Sequence, residues 1–216
     1  MLEADIQVFA MTMEVYFSRP RPFAKDKIDE LATWLTDGDE GFSLRPEQVR
    51  VRHTDIVFDY ELSATFFGGN VTFKRDAEKT VLTARGARTR QDAVVLQETA
   101  SRFIKVIAAP ERLYVSFSAN AHAALASEET RQTFLASFRP NEAVVHAGAL
   151  GFVKLQDWTE EVRIAIEPSF GLPKSLFFTW HTRFLAADDP LPLLQALVAA
   201  GGEASEVYGV KFNPLN

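Results

Sequence analysis

The chain has 216 residues, 47% hydrophobic and 24% charged, with a net charge of −6 and no cysteine. A protein of this size buries a core without cross-links, and disulfides, thiolate nucleophiles and cysteine-based zinc sites are excluded. The acidic balance speaks against nucleic acid, whose phosphates demand concentrated basic groups.

In chain order, residues 6–17 read as a strand with Met11, Met13, Val15 and Phe17 on one face. Pro20 and Pro22 end it by fixing φ and removing donors. A helix over 24–35 follows, with Ile28, Leu31, Ala32 and Leu35 along one stripe. After a strand at 49–52, a long alternating run takes Ile56, Phe58, Tyr60, Leu62, Ala64 and Phe66. Gly68-Gly69-Asn70 reverses the chain, and short strands follow at 71–75 and 80–84. Thr89 and Asp92 have capping-box spacing for a helix carrying Ala93, Leu96, Ala100, Phe103, Ile104 and Ile107 on one face.

Beyond Pro110, Leu113, Val115 and Phe117 alternate, then a short helix is expected over 128–138. Arg139-Pro140-Asn141 reads as a junction between packed halves. A strand over 144–155 contains Gly148 and Gly151, which mark a bulge or a close approach. Val162, Ile164 and Ile166 alternate up to Pro168, and Leu176, Phe178, Trp180, Thr182 and Phe184 form a second long run. A last helix begins near Asp188-Asp189-Pro190, buries Leu191, Leu194, Leu197 and Val198, and ends at Gly201-Gly202. Residues 203–212 form a short helix or an edge strand.

The resulting expectation is an α+β fold. Two pseudo-repeated antiparallel three-stranded units, each followed by an amphipathic helix, pack into one compact domain spanning 1–216, with halves at 1–138 and 139–216. No run approaches the ~18 apolar residues of a membrane span. The N-terminus, with Glu3 and Asp5, lacks a signal-peptide pattern. A cytoplasmic protein with no membrane partner and no cofactor is expected.

Four sets of residues have the chemistry of a site. His53, Asp55, Asp59 and Glu61 share parity on the first long run. Neighbours two apart lie roughly 7 Å apart at Cα, a span that a metal bound by His53 and Asp55 bridges. His181 holds the matching parity on the second run, so paired halves would bring it to His53. The plainer account is the wet face of an amphipathic strand. Arg85, Arg88 and Arg90 precede the N-terminus of the best helix, where the dipole and free N–H groups favour an anion; a solvated basic loop is the alternative. His122 and His146 read as hydrogen-bonded packing residues, and no serine stands in a nucleophile elbow.

The fourth set is aromatic. Phe66-Phe67 and Phe177-Phe178 place neighbouring rings on opposite strand faces, so Phe67 and Phe177 leave the core side for an oligomer interface or ligand cleft. His181 and Arg183 would orient a polar head there. The expected function is non-catalytic binding or assembly through apolar sheet faces, with a homodimer or another protein as partner. A small apolar-ligand binder with a pocket between sheet and helices is the second expectation. Metal-assisted hydrolysis at His53 and Asp55 is the third.

Overall fold

The computed structural model of the chain describes residues 1–39, 42–87, 89, 91, 92, 94, 95, 98, 99, 102, 103, 112–141, 143, 144, 146–154, 161–185 and 200–213. Ten strands form one sheet: β1 (Leu2–Phe17), β2 (Val49–His53), β3 (Tyr60–Phe66), β4 (Val71–Arg75), β5 (Lys79–Ala87), β6 (Arg112–Ala124), β7 (Ala149–Lys154), β8 (Glu161–Pro168), β9 (Ser175–Leu185) and β10 (Val210–Asn213). Their order is β2-β3-β4-β5-β1-β6-β9-β8-β7, with β10 beside the start of β1. Every neighbouring pair is antiparallel except β1 and β10. Helices α1 (Lys25–Thr36) and α2 (Glu128–Ala136) join further helical residues between 91 and 103 and at 200–207. The fold is α+β.

Alternation decides which sheet face is covered. Met11, Met13 and Val15 of β1 are buried, as are Phe117, Ala119 and Ala121 of β6 and Leu176, Phe178 and Trp180 of β9. The intervening residues of β1 stay half-buried, so the sheet has one dry face and one open face. Ile28, Leu31 and Leu35 of α1 join the dry side. Phe103 is completely buried. Its ring stacks on Phe73 at 4.7 Å and on Phe42 at 4.8 Å, and it meets Trp34 edge-on at 5.6 Å. Four of the eighteen phenylalanines, Phe42, Phe66, Phe73 and Phe103, meet in this cluster.

The Thr89–Asp92 box forms reciprocally. Thr89 N donates to Asp92 Oδ2 at 3.0 Å, and Asp92 N donates to Thr89 Oγ1 at 3.2 Å. Ile104, Ile107 and the expected helix start at 188–198 lie outside the described residues.

Two expectations need correction. The run 56–66 is not one strand, because a turn separates β2 from β3. Thr54 N donates to Asp59 O, Thr54 Oγ1 donates to Asp59 Oδ2 at 3.0 Å, and Asp59 N donates to Ile56 O. Ile56 and Phe58 are therefore exposed on the turn. Nor do Gly201 and Gly202 end the last helix, which runs through them. A Cβ at Gly201 would lie 3.2 Å from the Trp180 ring. This glycine serves close helix–sheet packing, and Trp180 Nε1 donates to Ser205 one turn later at 3.2 Å.

Gly148 meets the same kind of constraint against backbone, since a Cβ there would sit 2.3 Å from Ile166 O. Gly148→Ala is expected to destabilise the fold by about 1–3 kcal/mol through overpacking at the start of β7. Removing the centre of the aromatic cluster with Phe103→Ala is expected to cost about 3–5 kcal/mol. Chemical denaturation of each variant checks both values.

Candidate functional site

The open face is built from the strand positions that alternate with the core. Across its middle the register sets Glu14 beside Ser116 and Ser116 beside Arg183; the next row runs Thr12, Ser118, His181 and Arg163. The β1 part is a closed polar network. Lys79 Nζ donates to Glu14 Oε1 at 2.6 Å, and Tyr16 OH donates to Glu14 Oε2 at 3.0 Å. Tyr16 stacks on Tyr114 at 4.4 Å, and the Arg183 guanidinium lies 5.3 Å from the Tyr114 ring. The Glu14 hydrogen bond holds Lys79 above the usual lysine range, and burial pushes Tyr16 up.

Towards β7 the face becomes a cationic groove of about 570 Å³. It is lined by Phe152, Lys154, Glu161, Arg163, His181 and Arg183. His181 Nε2 lies 2.9 Å from the Oγ of Ser116, which is only 4% exposed. Burial first, then Arg183 and Arg163, push the His181 imidazole below its ordinary value, with Glu14 opposing. A serine bonded to a neutral imidazole resembles a nucleophile–base pair. Acyl transfer also needs free N–H donors where an oxyanion develops. Ser116 instead sits in mid-strand, paired to β1 on one side and β9 on the other. The pair packs and orients the groove.

The expected site residues separate. His181 and Arg183 line the groove, and Phe177 lies half-buried on the open face, its ring 4.7 Å from that of His122. His122 Nδ1 is 2.9 Å from Ser169 Oγ. Phe67 does not join them. It leaves β3 in a turn with φ of 50° and is exposed there, and β4, β5, β1 and β6 stand between its strand and β9. The same separation keeps His53 from His181.

His53 ends β2 with its ring stacked at 4.5 Å on Phe23, while Asp55 and Asp59 belong to the turn. The shared strand face expected for these acids does not form, because the turn breaks the parity. Among the described residues no group of three or more His, Asp or Glu side chains is placed to hold a metal ion. Arg85 is exposed on β5, its N–H bonded to Asn70 O at 2.7 Å; Arg88 and Arg90 lie outside the described residues.

Sequence reasoning did not find Ser116 or Arg163. The alternation of Val162, Ile164 and Ile166 already placed Arg163 on the opposite face, but only the β6–β9–β8 register brings these residues to His181. On the dry side a second hollow of about 510 Å³ opens between α1 and the sheet.

Because the folded-state pKa of His181 is depressed, the unfolded chain takes up a proton first as pH falls past 6.5. Stability is therefore expected to fall below that pH. His181→Gln should flatten this dependence, as read from thermal melts across pH 5–8.

Among the described residues, no helix is long and apolar enough to cross a membrane. No protein-family model matches the chain, and no curated protein matches it significantly.

Proposed function

We propose that the chain is a non-catalytic binding and assembly protein that pairs with a second copy of itself along β7. One observation carries this reading. β7 ends the sheet, and its Leu150 and Phe152 are 63% and 66% exposed. Among the described residues nothing pairs with its outer edge. An apolar edge left open templates pairing with another chain. The opposite edge, β2, carries Arg50, Arg52 and His53, the charged pattern that discourages such pairing.

The β7 sequence suits its own copy. Antiparallel pairing centred on Gly151 sets Leu150 against the partner's Phe152 and Ala149 against the partner's Val153. Lys154 then faces the partner's Gly148, so like charges do not meet. A two-fold interface is self-complementary in this way.

The reading as two related units is kept within one compact domain. From the β1–β6 ladder the order runs outward β5, β4, β3, β2 on one side and β9, β8, β7 on the other, so the first side carries one extra edge strand. A long strand and a helix precede each set: β1 with α1, and β6 with α2. This symmetry favours a division between residues 103 and 112 over one at 138.

Light scattering coupled to size exclusion is expected to give twice the chain mass, falling to one chain for Phe152→Glu with an unchanged circular-dichroism spectrum. A wild-type protein that stays monomeric at high concentration overturns the assembly.

A further inference from the structure

On a chain of net charge −6, the open-face groove concentrates the opposite sign. Lys154, Arg163 and Arg183 line it together, with Glu161 as the acid among them. The ladders fix how these cations meet. Arg163 stands opposite Phe152 on one side and His181 on the other. Lys154 and Arg183, two positions further on, are therefore its diagonal neighbours on the same face. Such neighbours lie about 7–8 Å apart, within reach of long side chains.

Glu161 faces Lys154 in register, yet no ion pair closes between them. Among the described residues, the side chains of Lys154, Arg163 and Arg183 make neither a hydrogen bond nor an ion pair. Arg183 only leans on the Tyr114 ring, 5.3 Å from its centroid. The β1 side of the same face is different, because Lys79 there is held by Glu14 at 2.6 Å.

His181 lies between these cations. Its Nε2 is taken by Ser116 Oγ at 2.9 Å, and its Nδ1 has no partner among the described residues. The charged groups that face it are Arg183 on its own strand, Arg163 from β8 and Glu14 from β1. Glu14 is itself bound by Lys79 and Tyr16. An anion seated beside the two arginines would offset the field that, after burial, holds the imidazole neutral.

We propose that this groove binds a phosphoryl group, held between Lys154, Arg163 and Arg183. Three cations against one acid leave two positive charges, and a phosphate monoester carries about 1.5–2 negative ones at neutral pH. Its oxygens accept from several directions at once, as three separated donors require. A carboxylate is satisfied by a single guanidinium fork. The volume of about 570 Å³ leaves room beside Phe152 for the body of an ester. All of these groups come from one chain, so the site stands whether or not β7 pairs.

Nuclear magnetic resonance of the full chain tests it, with phenyl phosphate, inorganic phosphate and benzoate titrated at fixed ionic strength and His181 followed across pH 5–8. Phenyl phosphate is expected to saturate one site per chain, with benzoate weaker by about tenfold or more. Saturation is expected to raise the His181 pKa by about one unit. Arg163→Met and Arg183→Met are each expected to weaken phenyl phosphate by about tenfold. Both side chains are exposed, so the circular-dichroism spectrum should not change. Phenyl phosphate tighter than inorganic phosphate assigns an ester, and equal affinity assigns the free ion; both support the phosphoryl site. Benzoate binding as tightly as phenyl phosphate overturns it, as does the absence of saturation or full affinity in both arginine variants. A His181 pKa unmoved at saturation places the ligand elsewhere and overturns the site without recourse to any variant.

Discussion

Everything in this fold is tied to the ladders of β1. Its sixteen residues pair with β6 on one side, and with β5 and then β10 on the other. A strand held on both edges cannot slip, because a one-residue shift would turn Met11, Met13 and Val15 to the wet face and bring Glu14 into the core. Irregularities between Ile6 and Val8 and between Tyr16 and Phe17 absorb the two places where the register with β6 shifts. Register along β1 thus sets the register of the strands on either side of it, and with it which residues reach the open face.

The one-sided covering of the sheet explains how polar groups are distributed. On the dry face the Trp180 indole is matched locally, by its bond to Ser205. On the open face the charges satisfy one another across strands, with Glu14 shared between Lys79 and Tyr16. Such networks fix geometry more than they add stability, since partly exposed ion pairs are screened. The groove at His181 departs from this balance, gathering Lys154, Arg163 and Arg183 against Glu161.

What was legible in the sequence is what local periodicity carries. The strand faces of Met11–Phe17 and Leu176–Thr182, the stripe of α1 and the box at Thr89–Asp92 all follow from spacings within a few residues. The failures came where a distant contact or a chance parity decided. Ile56 and Phe58 continue the alternation of Tyr60 to Phe66 by coincidence, and side-chain bonding between Thr54 and Asp59 turns the chain between them. Gly201-Gly202 has the composition of a helix stop, yet the reason for glycine is the Trp180 ring below it. Ser116 meets His181 across 65 positions, a juxtaposition that no window along the chain contains. Arg21 and Arg75 likewise reach the same Phe17 ring only through the fold, with β5 standing between β4 and β1.

The parallel ladder between Leu2–Asp5 and Val210–Asn213 imposes an order on assembly. During synthesis Leu2–Asp5 emerge some two hundred positions before their partners on that edge. Closing so wide a loop carries a heavy entropic penalty before any contact rewards it. That stretch of β1 is thereby among the last to be fully fastened, with the bond from Asn213 to Asp5 as the clasp.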